Sequence, residues 1–184
     1  AGVVIVATIV IYFLNQNIPE ILEETGLPEQ SKSVLWWLNS GAYVLFEKEI
    51  ISTIVGPLSE KSSWQKRYSK SNPEDTENGY FPQNIFRLIS KEPVKNSTLE
   101  VYAEIQKINL VESPHRDESN GILLLQRYKD HDNLYYAGIR VDGDAVIKKK
   151  LNGTYHVLAE KKIFPGEYDR MRNPNVIPLR TWIG

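Results

Sequence analysis

The fold is decided by residues 121–151, which read GILLLQRYKDHDNLYYAGIRVDGDAVIKKKL. The β-branched and aromatic residues of this stretch form three strand-like runs, 121–128, 134–141 and 145–151. Polar residues separate the first two runs, and Asp142-Gly143 and Asn152-Gly153 are strong two-residue hairpin signals. Turn chemistry that recurs about every ten residues predicts an antiparallel meander within a sandwich or barrel rather than βαβ units.

The same residues also form a pattern of glycines, aromatics and aspartates: Gly121-Ile122-Leu123, Tyr128, Asp132-Asn133, Tyr135-Tyr136, Gly138-Ile139-Arg140 and Asp142-Gly143. This pattern resembles the concanavalin A-like lectin/glucanase superfamily, whose jelly-roll sandwiches include legume lectins, laminin-G-like modules and several polysaccharide hydrolases and lyases. The resemblance implies two curved antiparallel sheets, with any glycan held on or beside the concave one. The expected fold class is therefore all-β, an antiparallel concanavalin-like sandwich preceded by an N-terminal hydrophobic helix.

The overall charge argues against nucleic acid as a partner. The chain has 22 basic and 23 acidic residues and a formal net charge of -1. A nucleic-acid-binding domain normally shows a basic face, which this balance does not supply. The chain also has no cysteine, which excludes disulfides and thiolate metal sites.

The N-terminal residues divide into an apolar part and a polar part. Residues 1–16 carry no charge, and we interpret them as the end of a single transmembrane anchor that is truncated at its start. Fourteen apolar residues of helix would reach only about 21 Å of the ~30 Å bilayer core, so a signal-peptide segment and a buried strand or helix remain alternatives. Residues 17–33 are predicted to be a stalk with a short helix over 18–26, because proline, acids and glycine punctuate it as they do helices.

The sandwich itself is predicted to span residues 34–184. Alternation over 99–106 places Leu99, Val101, Ala103 and Ile105 on one face of a strand that packs against the second sheet. The hydrophilic residues 58–79 are expected to form a long surface loop pinned by Trp64 and Tyr68. Residues 180–184 read as the start of a strand that stops without a turn, so we expect the domain to be incomplete at its C-terminus.

The residues that glycoside hydrolysis requires are not arranged in a recognisable motif. Such enzymes need two carboxyl groups roughly 5 to 9.5 Å apart, whereas Glu100 and Glu104 would stand ~13 Å apart along a strand. The Gln-apolar-His strand of alginate-lyase-like relatives is not matched by Gln126-Arg127-Tyr128. The sequence therefore predicts no catalytic residue.

A binding surface is easier to support from the sequence. Tyr136 and Arg140 share one face of a strand, with Gly138 between them leaving a shallow dip, and Lys148 and Lys150 share a face of the next strand. Stacking by Tyr136 and polar contacts from Arg140, Asn133 and Lys148 would suit a sugar or an acidic glycan. The alternative is that Arg140 and the lysines simply solvate an exposed sheet.

No cofactor and no metal site are predicted. Calcium is an alternative at four aspartates in the meander, but these residues are also good turn formers that need no metal: Asp130, Asp132, Asp142 and Asp144.

The predicted function is a membrane-anchored, lectin-like domain on the extracytoplasmic side of a single-pass protein of the cell membrane. It would bind carbohydrate or another cell-surface ligand without chemistry. The alternative is a polysaccharide-degrading enzyme, a glycoside hydrolase or lyase, on the same scaffold.

Overall fold

A computed structural model describes residues 20–47, 50–53, 56–82, 86–105, 120–165 and 177–183. The described residues form eleven strands, one α-helix and a 3-10 helix at Pro28–Gln30. The labelled elements are β1 Glu20–Glu23, β2 Trp36–Leu38, β3 Tyr43–Glu47, β4 Ile50–Thr53, α1 Ser63–Ser71, β5 Leu88–Ser90, β6 Ser97–Ala103, β7 Gly121–Asp130, β8 Asn133–Arg140, β9 Asp144–Leu151, β10 Thr154–Lys162 and β11 Ile177–Ile183.

The chain divides into two compact units. The helix unit contains the described residues from 20 to 93, and the meander unit contains 94–105, 120–165 and 177–183. Antiparallel strands dominate both units, so the prediction of a largely all-β protein is confirmed at this level.

The predicted helix over residues 18–26 is wrong, because Glu20–Glu23 forms β1 instead. This strand pairs antiparallel with β3, and β3 pairs with β4. Leu22 is 1% exposed and packs with Leu38, Val44 and Phe46 in the core of the helix unit. Pairing with β3 and burial of Leu22 outweigh the helix-like punctuation, which is only a weak local preference.

The loop predicted over residues 58–79 contains helix α1 instead. The Ser62 side chain caps its first turn by accepting a hydrogen bond from the Trp64 backbone N–H. Trp64 and Tyr68 lie on one helical face with ring centroids 5.9 Å apart, and the Tyr68 hydroxyl donates to Glu24 at 2.9 Å. Burial and the neighbouring Glu24 carboxylate raise the pKa of Tyr68, so this hydroxyl remains a donor.

The predicted meander is confirmed in the meander unit, where one sheet has the strand order β10-β9-β8-β7. Leu151 pairs with Thr154, so Asn152-Gly153 is the predicted two-residue turn, and both residues have positive φ. The β8–β9 connection differs, because Ile139 pairs with Ala145 and the loop has three residues, 141–143. Gly143 has a φ of 90°, the left-handed conformation that glycine permits in three-residue hairpin loops.

A second layer packs against this four-stranded sheet. It consists of β6 and β11, which pair antiparallel with Val101 opposite Leu179. Leu124 and Ile139 of the larger sheet share a buried cluster with Ile177 and Leu179 of β11. The prediction that residues 99, 101, 103 and 105 face a second sheet is confirmed, because all four pack on this cluster. The meander unit is thus a two-layer β structure.

Strand β10 is an edge strand with an irregularity. All nine of its residues are exposed, and its register against β9 shifts between Val157 and Ala159, leaving Leu158 as the extra residue of a bulge. The bulge reverses the alternation of side chains. Tyr155 and Val157 therefore lie on one face of the sheet together with Glu160, three residues beyond Val157.

Among the described residues, no helix has the length and apolar character needed to cross a bilayer. The predicted anchor over residues 1–16 lies outside those residues.

Candidate functional site

Three of the four predicted ligand-binding residues, Tyr136, Arg140 and Lys148, lie on the face of the four-stranded sheet that is turned away from the β6–β11 layer, which we call the outer face. Tyr136 is directly opposite Lys148, and Lys150 is directly opposite Tyr155. Ile139 faces the core, so Tyr136 and Arg140, which have the other parity on β8, face outward together. The structure therefore brings Tyr136, Arg140 and Lys148 to one surface, as the alternation predicts.

Arg140 is engaged by carboxylates on this face. Its guanidinium forms ion pairs with Asp142 and, at 2.8 Å, with Glu160. The Arg140 and Asp142 side chains are only 17% and 14% exposed, whereas Glu160 is 39% exposed. Arg140 thereby joins β8, the β8–β9 loop and β10, and an acidic ligand would have to displace these carboxylates to reach it.

Asn133 is likewise used inside the fold. Its side-chain amide donates to Asp130 Oδ1 at 2.9 Å, and its Oδ1 accepts from the Asn152 backbone N–H at 3.1 Å. These two bonds connect the β7–β8 turn with the β9–β10 turn. Both ends of the carboxamide are therefore occupied by the hairpins.

Lys148 differs from the other cations of the outer face. Lys150 pairs with Asp132 at 3.2 Å, and Lys162 pairs with Asp144 at 3.1 Å. Lys148 forms no ion pair with the described part of the chain, and it lies between Tyr136 and Val157 in register. Among the described residues, no carboxylate compensates its positive charge.

Two tyrosine rings adjoin Lys148. Tyr136 and Tyr155 meet edge to face with centroids 6.3 Å apart, and the Lys150 ammonium lies 4.9 Å from the Tyr155 ring centroid. Tyr155 is 55% exposed. Burial, reinforced by Tyr155, raises the pKa of Tyr136 to about 12, while Arg140 opposes this shift. The Tyr136 hydroxyl is consequently protonated at neutral pH and can donate a hydrogen bond.

The meander aspartates form turn hydrogen bonds and ion pairs. Asp130 Oδ1 accepts from the Asp132 backbone N–H at 2.9 Å, and Asp142 Oδ1 accepts from the Asp144 backbone N–H at 3.0 Å. Bonds to Asn133 and to backbone N–H groups lower the pKa of Asp130. Within the described ranges, no group of three or more histidine, aspartate or glutamate side chains is arranged to hold a metal ion.

Sequence reasoning missed Tyr155 and Glu160 as members of this face. The two-residue turn at Asn152-Gly153 fixes Tyr155 opposite Lys150, so the hairpin pattern could have predicted the position of Tyr155. It could not have predicted that of Glu160, because Glu160 reaches the outer face only through the bulge, which no local turn residue marks.

The described residues thus define a largely all-β protein whose meander unit presents cations and aromatic rings on one sheet face. Comparison with protein-family models, with curated proteins and with solved structures found no match.

Proposed function

We propose that this chain is a membrane-anchored, extracytoplasmic domain with a concanavalin-like jelly-roll fold that binds an acidic carbohydrate without chemistry. The observation that carries the proposal is the Lys148 ammonium beside the Tyr136–Tyr155 pair, which no carboxylate in the described ranges neutralises. A uronic acid or sulfated sugar would place its anionic group on Lys148 and an apolar ring face against the exposed part of Tyr155.

The protonated Tyr136 hydroxyl adds a neutral donor beside this cation. A charge-assisted hydrogen bond together with a neutral one fixes the orientation of a ligand better than either alone. Arg140 supports the face indirectly, because its ion pair with Glu160 joins β8 to β10 across β9.

The sequence supports the anchored, extracytoplasmic location through the uncharged residues 1–16. Expression of the chain with residues 1–16 intact and fractionation of the cells tests it directly. Recovery of the chain in the membrane fraction is expected, and recovery in the soluble fraction would overturn this part of the proposal.

The binding test compares two neighbouring lysines by titration calorimetry with polygalacturonate, using an uncharged galactan as the reference polymer. Lys148→Ala should weaken binding about tenfold, because one hydrogen bond from a charged group is lost. Lys149→Ala removes the same charge from the opposite face of β9 and should leave the affinity unchanged.

Equal losses in the two variants would show diffuse attraction to a basic strand and would refute the outer face as a site. Shortened polygalacturonate products after long incubation would instead favour the alternative function, a polysaccharide-degrading enzyme.

A further inference from the structure

A second surface of the meander unit exposes two large aromatic side chains. Trp182 is 74% exposed and Tyr102 is 72% exposed. In the β6–β11 pair, Trp182 is opposite Thr98 and Tyr102 is opposite Pro178. Leu99, Val101 and Leu179 have the other parity and pack into the core. Trp182 and Tyr102 therefore lie together on the outside of the two-stranded layer.

A charged pair stands between the two rings. Glu100 is opposite Arg180, and their side chains approach to 3.4 Å while remaining 45% and 70% exposed. The Tyr102 hydroxyl is also 3.4 Å from Glu100 Oε1. Trp182 is level with Thr98, which is four residues from Tyr102 on β6, so the two aromatic side chains are separated by about 14 Å along the strands. We call this row of Trp182, Arg180, Glu100 and Tyr102 the aromatic strip.

The balance of charge on the strip selects among ligands that stack on aromatic rings. A nucleic acid strand also stacks on such rings, but it needs a cationic groove for its phosphates, whereas here the exposed Arg180 is paired with Glu100. An anionic polysaccharide would be repelled by the Glu100 carboxylate on the same strip. An uncharged sugar chain has apolar ring faces for stacking and hydroxyl groups that bind both a donor and an acceptor.

We propose that the aromatic strip is a second ligand site, which binds an uncharged, linear polysaccharide lying along β6 and β11. Trp182 and Tyr102 stack on sugar rings that are separated along the chain, and Arg180 and Glu100 bind the hydroxyl groups between them. This site is independent of the acidic ligand proposed for the outer face, because it lies on the other layer of the meander unit.

The experiment titrates the full chain with cellohexaose, mannohexaose and maltohexaose, with tryptophan fluorescence and calorimetry as readouts. At least one hexasaccharide should bind, and Trp182→Ala should weaken that binding about tenfold or more. Trp182→Phe keeps a stacking ring and should lose much less. Since both substitutions are at an exposed position, thermal melting should remain as in the unmodified chain.

Two controls separate this site from the outer face. Lys148→Ala should leave hexasaccharide binding unchanged, and raising the salt to about 0.5 M should have little effect, because no net charge is recognised. Failure of all three sugars to bind, an unchanged affinity in Trp182→Ala, or a steep loss with salt would each overturn the proposal. Binding of polygalacturonate through Lys148 would stand in any of these cases.

Discussion

Replacing Arg140 with leucine tests whether this residue stabilises the fold or contacts a ligand. The substitution leaves Asp142 without its ion-pair partner while its side chain is only 14% exposed. Breaking a buried ion pair costs about 3–5 kcal/mol, whereas an exposed pair contributes about 0–1 kcal/mol. Because the Arg140 and Asp142 side chains are both mostly buried, the pair resembles a buried ion pair more than an exposed one. We therefore expect Arg140→Leu to lower the free energy of unfolding by about 3 kcal/mol.

Glu160 provides the matched control on the same guanidinium. It is 39% exposed, so Glu160→Gln should cost only about 0.5 kcal/mol. Asp142→Asn combined with Arg140→Leu should recover about 1–2 kcal/mol, because the uncompensated carboxylate is then removed.

Urea unfolding followed by far-ultraviolet circular dichroism measures these differences. The free energy of unfolding should fall by about 2 kcal/mol for each molar of urea. Arg140→Leu should therefore lower the urea concentration at the unfolding midpoint by about 1.5 M, and Glu160→Gln should lower it by about 0.25 M. A midpoint for Arg140→Leu equal to that of the unmodified chain, with polygalacturonate binding lost, would refute the structural role and return Arg140 to the ligand site.

Three further predictions concern the meander unit. Leu124→Ala should lower the free energy of unfolding in urea by about 3 kcal/mol, because Leu124 is 6% exposed. Ile147→Ala, at a 48% exposed position, should lower it by less than about 1 kcal/mol, and equal losses would contradict the core assignment. The free energy of unfolding should fall between pH 10 and about 12, because the Tyr136 hydroxyl ionises more readily in the unfolded chain, and urea titrations across this range should show a shallower fall for Tyr136→Phe. Asn133→Ala should speed hydrogen exchange of the Asn152 amide by about tenfold, since that N–H loses its acceptor; unchanged exchange would show that the turns hold without it.

The meander could be predicted because its decisive signals are local. Asn152-Gly153 fixes a two-residue turn whatever the rest of the chain does, and the alternation over residues 99–105 reports one buried face directly. Even so, Asp142-Gly143 closes a three-residue loop, because a glycine with positive φ serves both kinds of turn.

The helix unit was harder to predict because distant partners decide its local structure. Residues 20–23 have helix-like neighbours, yet β3, twenty residues further on, makes them a strand. Residues 63–71 are hydrophilic enough for a loop, but the Ser62 cap and the packing of Tyr68 make them a helix. The strand is thus decided by a distant partner, and the helix depends on the burial of Tyr68 in addition to its local cap.

The candidate site was predicted as a surface but not as a set of interactions. Parity along β8 and β9 places Tyr136, Arg140 and Lys148 together. It says nothing of which charges are already compensated, because Glu160 belongs to another strand and lies beyond a bulge. Alternation thus identifies the residues of a face, whereas their availability to a ligand depends on contacts between strands.

The bulge at Leu158 also determines how the exposed edge of β10 can meet a second copy of itself. In a regular strand, antiparallel pairing about residue 158 would set His156 against Glu160 on one face, within hydrogen-bonding reach of each other across a two-fold axis. With the extra residue, His156 and Glu160 point to opposite faces, and a register that restores matching faces sets His156 against Lys161 instead. The bulge at Leu158 that brings Glu160 to Arg140 therefore also removes the pairing of His156 with Glu160 by which two such edges would join. Deleting Leu158 should separate Glu160 from Arg140 and promote self-association, which sedimentation velocity would detect as a dimer.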